Sequence, residues 1–453
     1  MGLRKRPDDG LPEPWPEELL PSIARAADER TLIVLDDDPT GTQTVRDVPV
    51  LTEWSESSLR SLFGDGEPVA YVLTNSRAFP ADRASTIASE IGSRLRSVAG
   101  TRPFRVVSRS DSTLRGHFPA EVDAFAASLG WDAAPVLLAP YFGEGGRITV
   151  GDIHYLRRGD DWLPVAETEF AADPVFGYAE SNLVDWARAR AGGGRPVTSL
   201  SLEVVRGGGP DAVEAQLRSL PARTVCVVNA AVDRDLEVVV AAAQRIETPL
   251  LVRSAASWVR IAAGQPRAGL LTADELEIGG GAGLVVVGSH VPLTTRQLDA
   301  LRAAPPAPLA WLELDVPELL ANRTVDLASA IDEALSAGRT AVLATSRERA
   351  GGDQLAIGER VSTALVETVH ALRHRPAWLL AKGGITSSDM ATRALGVRRA
   401  RVVGQLVTGV PVWRCGSESR WPGLALVVFP GNVGDDGALR EAVARLGAAF
   451  GRG

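Results

Sequence analysis

An apolar run that ends in three consecutive acids, Thr31 to Leu35 followed by Asp36-Asp37-Asp38-Pro39-Thr40-Gly41-Thr42-Gln43-Thr44, constrains this chain more than any other stretch. A short apolar run bounded by turn residues reads as a buried parallel strand, and open α/β sheets gather their ligands at the C-terminal strand ends. Three adjacent carboxylates repel one another unless a metal ion, a cationic side chain or a proton lies among them. The stretch therefore points to chemistry with Mg²⁺, phosphate or a polyol hydroxyl. The same residue types also make a solvated turn that caps the next helix, so the other strand ends must be weighed with it.

Strand and helix patterns alternate along the chain. A helix is expected from Pro16 to Arg30, then strands at Thr31–Leu35, Val48–Leu51, Val69–Thr74, Phe104–Ser108 and Pro135–Ala139, with helices at Asp82–Val98 and Ala120–Leu129 between them. This alternation predicts an α/β fold with a mostly parallel sheet flanked by helices. Ile148 to Phe170 reads as a β-hairpin that projects from the first domain, and strands follow at Thr224–Val228 and Pro249–Val252. The glycine run Ile278 to Gly283 has the composition of a linker. It precedes a strand and misses the G-x-G-x-x-G spacing, so it is no dinucleotide fingerprint. Beyond it, strands at Leu284–Gly288, Leu309–Leu314, Thr340–Thr345, Ala377–Ala381, Arg401–Val407 and Leu424–Val428 alternate with helices such as Gly358–His370. The expected organisation is a leader over 1–30, a first domain over 31–275, a linker over 276–283 and a second domain over 284–453.

At 453 residues and 45% hydrophobic composition, the chain can fill two or three cores. A net charge of −8 without a basic cluster argues against a nucleic-acid surface. No run approaches the roughly 18 apolar residues of a membrane span, and the N-terminus lacks a signal-like core. A cytoplasmic location is the expectation, with a homodimer as the commonest assembly. Cys226 and Cys415 are too few for a disulfide framework, and the histidines suggest no zinc site. The only lysines are Lys5 and Lys382 in a chain that otherwise uses arginine. Lys382 stands in a glycine-rich turn, where a point charge on a flexible stem suits a phosphate.

In the first half, the acidic turn, Thr74-Asn75-Ser76-Arg77 and Ser108 to His117 each follow a strand. A parallel sheet would align them along one edge, making a pocket for a polyhydroxy acid. There Arg77 or Arg115 can grip a carboxylate, Asn75, Ser112 and Thr113 can bond hydroxyls, and an Asp can take the proton of the reacting hydroxyl. In the second half, Gly288-Ser289-His290, Lys382 to Ser387, Gly409-Val410-Pro411 and Pro430 to Gly434 follow apolar runs. Glycines with small hydroxyl residues let backbone N–H groups approach a phosphate, and a helix starting at Ser388 would add its positive end. No Walker A motif is present.

Together these segments resemble the four-carbon acid sugar kinase family, whose members phosphorylate erythronate, threonate or their 3-oxo relatives with ATP. The resemblance runs from Thr31 onward: the acidic turn with Thr40-Gly41, Thr74–Arg77, Asp111–Gly116, Gly288-Ser289 with Thr295 and Gln297, Lys382–Ser387, Gly409–Pro411 and Gly431–Gly434. It implies a first domain that binds the acid, a second that binds ATP, and phosphoryl transfer in the cleft between them. Carried over by motif, Asp37 or Asp38, Arg77, Ser110, Asp111, Ser112 and Thr113 would hold the acid, with Arg115 beside them. Ser289, Gly383, Gly384, Ile385, Thr386, Gly409 and Gly431 would hold ATP. Mg²⁺ and Lys382 would help to neutralise charge, and Asp37 is the expected base. The chain departs from the family around Ser289, where relatives often carry a second small hydroxyl residue or a lysine, and at Phe429-Pro430, where many have a lysine.

Two other readings fit parts of the chain. Asp36 and Asp38 after a strand match the nucleophile motif of haloacid-dehalogenase-type phosphatases, with Lys382 and Asp435-Asp436 as later elements. A two-domain sensor that binds a sugar acid without turnover would use the same pockets.

Overall fold

The computed structural model describes residues 6–27, 29–323, 325–347 and 354–448. Lys5 lies outside them. The chain divides into two compact units, one formed by Met1–Val45 with Glu53–Arg267, the other by Arg46–Thr52 with Ala268–Gly453. The glycine run 278–283 thus lies within the second unit. Residues ahead of it are already tied there, with Leu271 N donating to Gln405 O at 2.7 Å and Arg414 Nη2 to Leu276 O at 2.5 Å.

The strands, in chain order, are β1 (Thr31–Asp36), β2 (Val48–Leu51), β3 (Val69–Leu73), β4 (Phe104–Arg109), β5 (Val136–Ala139), β6 (Arg147–Val150), β7 (Ile153–Arg158), β8 (Asp161–Pro164), β9 (Val197–Leu200), β10 (Val225–Val228) and β11 (Leu251–Ser254). They continue as β12 (Leu284–Val287), β13 (Leu309–Leu314), β14 (Thr340–Thr345), β15 (Trp378–Lys382), β16 (Arg399–Val407), β17 (Val410–Cys415) and β18 (Ala425–Phe429).

In the first unit, seven strands run parallel in the order β3-β1-β4-β11-β5-β10-β9. Their unbroken apolar runs follow from burial on both faces: Ile33, Val34, Ala70, Val72, Val107, Leu137 and Val227 are essentially inaccessible. The expected hairpin is a three-stranded antiparallel sheet, β6-β7-β8. The leader packs on this unit. Arg206 pairs with Asp235 at 2.8 Å and with Asp8 at 3.0 Å, and Trp15 sits where a Cβ on Gly209 would be, 2.5 Å away. Among the leader's described residues helix forms over Leu20–Ala27, shorter than the expected Pro16 to Arg30.

In the second unit, β13-β14-β12-β15-β18 are parallel, and β17, β16 and β2 continue the order antiparallel. The segment Val48–Leu51, read in the first domain from sequence, pairs here with β16, Arg399 opposite Leu51. Among the described residues, no helix is long and apolar enough to cross a membrane.

Candidate functional site

The first unit brings its polar strand ends together. β3, β1, β4 and β11 are neighbours. Beyond the strands, Thr74 N donates to Asp36 O at 2.9 Å, Asp37 N to Arg109 O at 3.3 Å and Ser110 N to Ser254 O at 2.8 Å. The three clusters therefore share one edge, as a parallel sheet requires.

Arg77 is the hub of that edge. Its guanidinium bonds Asp37 Oδ1, stands 3.6 Å from Asp38 Oδ2 and reaches Asp111 Oδ1 at 4.0 Å. Ser110 Oγ donates to the other Asp37 oxygen at 2.8 Å. Burial disfavours a charge on Asp37, yet Arg77, with Arg253 and Arg109, holds its carboxyl below the usual range. Asp111 accepts from Thr113 Oγ1 and from Arg115 Nε, the latter at 2.8 Å. Against its burial, Arg115 and Arg77 keep it ionised. Asp38 is the most open of the three acids, its side chain 20% exposed against 3% for Asp37. It caps the short helical turn by accepting from Thr40 N at 2.9 Å.

Asp36 is different. It is 1% exposed, and burial pushes it up to about 7 despite Arg109 at 3.1 Å, with Asp37 and Asp38 adding repulsion. A Cβ on Gly41 would lie 2.1 Å from Asp36 Oδ2, so only glycine lets the turn close over this carboxyl. A phosphatase nucleophile at Asp36 would lie beneath that turn. Asn75 adopts φ 51° at the start of the Ser76–Ala78 turn. Leu114, at φ 70°, holds a left-handed conformation that a leucine keeps only under constraint.

Sequence reasoning missed Arg253 and Glu121. Arg253 Nη1 donates to Ser108 Oγ at 3.0 Å and pairs with Glu121 Oε2 at 3.3 Å, while Ser76 Oγ donates to Glu121 Oε1 at 2.5 Å. Arg253 ends the apolar run Pro249–Val252, so the strand-end rule extends to it; Glu121 inside a helix gives no such signal. A cavity of about 220 Å³ lies at the opposite ends of β1, β4 and β11, lined by Leu32, Phe104, Val106, Trp131 and Val252. It is away from the carboxylate and arginine cluster.

In the second unit, Ser289, Gly383 and Gly431 follow β12, β15 and β18, which are adjacent strands. They pack as a knot of small residues. A Cβ on Gly288 would lie 2.4 Å from Thr386 Oγ1, one on Gly431 2.8 Å from Ser289 Oγ, and one on Gly383 3.1 Å from Ser289 Cβ. Gly383 also has φ 118°, which glycine alone holds freely. The helix begins at Gly384, not at Ser388 as expected, and continues past Asp389 as a π turn over Met390–Ala394. Its first N–H groups, those of Gly384, Ile385 and Thr386, have no acceptor inside the helix. Ile385 is 61% exposed. Gly409 occupies the tip of the β16–β17 hairpin, where its N–H donates to Gln405 Oε1 at 2.7 Å. The register, Val412 opposite Val427, puts that tip at the same edge as Phe429.

Lys382, expected to help neutralise phosphate charge, turns its ammonium onto backbone carbonyls. It is fully buried, donates to Pro430 O at 2.6 Å and Gly431 O at 3.3 Å, and lies 4.0 Å from the Phe429 ring centre. Burial lowers it to about 7. The basic group beside Ser289 is one the sequence reading passed over, Arg347, two residues after β14. Its Nη2 donates to Ser289 O at 2.7 Å and Thr295 Oγ1 at 3.1 Å, and its buried Nη1 has no acceptor among the described residues. A lone arginine after Thr345-Ser346 offered no glycine signal.

Comparison with known proteins agrees with this division of labour. Residues 32–261 match the family described as "Sugar-binding N-terminal domain" and residues 284–439 that described as "Nucleotide-binding C-terminal domain". The chain belongs to the four-carbon acid sugar kinase family, also called DUF1537, a class of phosphotransferases that act on a hydroxyl. It is 29% identical over 384 residues to a D-threonate kinase of Bordetella bronchiseptica, which covers 83% of this chain and 85% of that protein. It is also 29% identical over 246 residues to a D-erythronate kinase of Heliobacterium modesticaldum, 53% of this chain and 52% of that one. A Haemophilus influenzae DUF1537 structure superposes with a TM-score of 0.64 at 19% identity, over 90% of this chain and 98% of its own. A Salmonella typhimurium structure described as a putative tRNA synthase gives 0.66 at 18%, over 91% and 98%. At those identities the likeness is one of fold.

Proposed function

We propose that this chain is an ATP-dependent kinase that phosphorylates a hydroxyl of a four-carbon sugar acid of the erythronate, threonate or 3-oxo-tetronate type. The observation that carries the reading is the Arg77 hub, where a guanidinium, three carboxylates and the Ser110–Thr113 hydroxyls meet at one parallel sheet edge. Arg77 and Arg115 grip the acid's carboxylate, and Ser112 and Thr113 face its hydroxyls. Asp37, with both oxygens engaged, orients Arg77. Asp38, with the more open oxygen, takes the proton of the attacking hydroxyl, a role expected of Asp37 from sequence.

The knot around Ser289, Gly383, Gly384, Thr386 and Gly431 fits a nucleotide, because a Cβ on Gly288, Gly383 or Gly431 would crowd Thr386 or Ser289 and the glycines keep backbone accessible there. Ile385 lines its exposed rim, and Gly409 stands at the same edge. ATP supplies the phosphoryl group, and Mg²⁺ carried on its phosphates spreads the charge. Arg347 offers the cationic group that Lys382 does not.

The test is ADP release by the full chain with Mg²⁺ and ATP against D- and L-erythronate, D- and L-threonate and their 3-oxo forms. Turnover dependent on one of these acids is expected. ATP hydrolysis indifferent to every acid would overturn the reading.

A further inference from the structure

Four residues of the loop after β4 are each held by one later stretch of chain. The Ser112 carbonyl accepts from His154 Nε2 at 2.8 Å, and the Thr113 carbonyl from the Tyr178 hydroxyl at 2.9 Å. The Arg115 guanidinium lies 5.2 Å from the Phe170 ring centre, and the His117 ring meets Phe176 edge-on with centres 5.0 Å apart. Leu114, in their midst, is the residue held at φ 70°.

The holding groups are themselves fixed. His154 is fully buried in β7, and because a carbonyl only accepts, its Nε2 carries the proton while Nδ1 takes the Thr149 hydroxyl at 2.9 Å. Burial lowers the imidazole to about 4, so it stays a neutral donor. Asp173 turns the chain before Tyr178 by accepting from Val175 N at 2.9 Å and Phe176 N at 3.0 Å, with its other oxygen 4.0 Å from Arg115 Nη1.

We propose that Phe170–Tyr178, with His154 behind it, is a clamp that sets the shape of the Ser110–Arg115 loop and thereby selects which acid the loop accepts. His154 and Tyr178 are positioning residues, acting through the backbone of Ser112 and Thr113. For its effect on selectivity the inference rests on the acid-binding reading of that loop. For its effect on the loop it does not.

The experiment therefore has two arms on the full chain. In hydrogen–deuterium exchange, Tyr178→Phe and His154→Leu should each speed exchange of amides 112–116 about tenfold, the loss of one side-chain hydrogen bond to the loop's backbone, and leave 383–389 unchanged. His154→Gln, which keeps an N–H donor, should recover part of the protection. In steady-state assays, Tyr178→Phe should raise KM for D-threonate and D-erythronate by unequal factors while KM for ATP stays constant. Unchanged exchange at 112–116 in Tyr178→Phe overturns the clamp, as does a KM for ATP that rises in step with that for the acids. A wild-type chain that phosphorylates neither acid, while exchange responds as expected, counts against the kinase reading and in favour of the clamp.

Discussion

The Lys382 ammonium nitrogen lies 2.6 Å from the Pro430 carbonyl oxygen, so the one lysine among the described residues is engaged inside the turn that follows β18. Thr294 Oγ1 holds the next carbonyl, that of Gly431, at 3.0 Å. The turn is thus pinned from two sides, by Lys382 and by Thr294.

Lys382→Met should raise KM for ATP about tenfold, the loss of roughly one charged hydrogen bond, and leave KM for the acid unchanged. Stability should also change its pH dependence. Burial holds the folded pKa at about 7, below the unfolded value of about 10.4. Between these values the unfolded chain binds more protons, so this lysine's destabilising contribution fades as pH rises through the window. Denaturant unfolding from about pH 7 to 10 should show that rise in the wild type and lose it in the variant; equal slopes would refute the assignment.

Arg347→Gln tests the cationic group beside Ser289. A charge-assisted contact contributes about 1.5–3 kcal/mol, so KM for ATP should rise about ten- to a hundredfold while acid binding holds. Calorimetric ATP titration that finds the affinity unchanged would remove Arg347 from the site.

Gly41→Ala would put a methyl group where the Asp36 carboxylate stands. Overpacking of this kind costs about 1–3 kcal/mol, and the displaced acidic turn should weaken acid binding. Gly193, with open space around its Cα, is the control, and Gly193→Ala should leave both melting temperature and KM alone.

Asp38→Asn should lower kcat by about 10² to 10⁴, the usual contribution of a general base, with little change in KM. Asp37→Asn should release Arg77 and raise KM for the acid. The opposite split would return the base to Asp37.

Much of this was legible in the sequence because parallel strands between helices are apolar throughout and end in polar turns. That pattern marked β1, β3, β4, β12, β15 and β18 and the clusters behind them. It failed where chemistry hid its signal. Lys382 stood out by composition and glycine neighbours, but nothing local tells a lysine that faces a ligand from one that folds back onto carbonyls. Arg347 and Arg253 are arginines in an arginine-rich chain. The β16–β17 hairpin turns through Thr408-Gly409, and its Val410–Cys415 arm, with Pro411 as its second residue, reads as loop until β18 is known to pair with it. β2 looks like its neighbours in period and polarity, and only tertiary pairing assigns it to β16.

The most direct test of the central claim is the identity of the phosphorylated product. The full chain is incubated with Mg²⁺, ATP and D-threonate or D-erythronate, and the mixture is read by phosphorus NMR and mass spectrometry. The account predicts a phosphomonoester on the four-carbon acid appearing in step with ADP. Inorganic phosphate as the sole product, or an acid recovered unmodified while ATP is consumed, would contradict it.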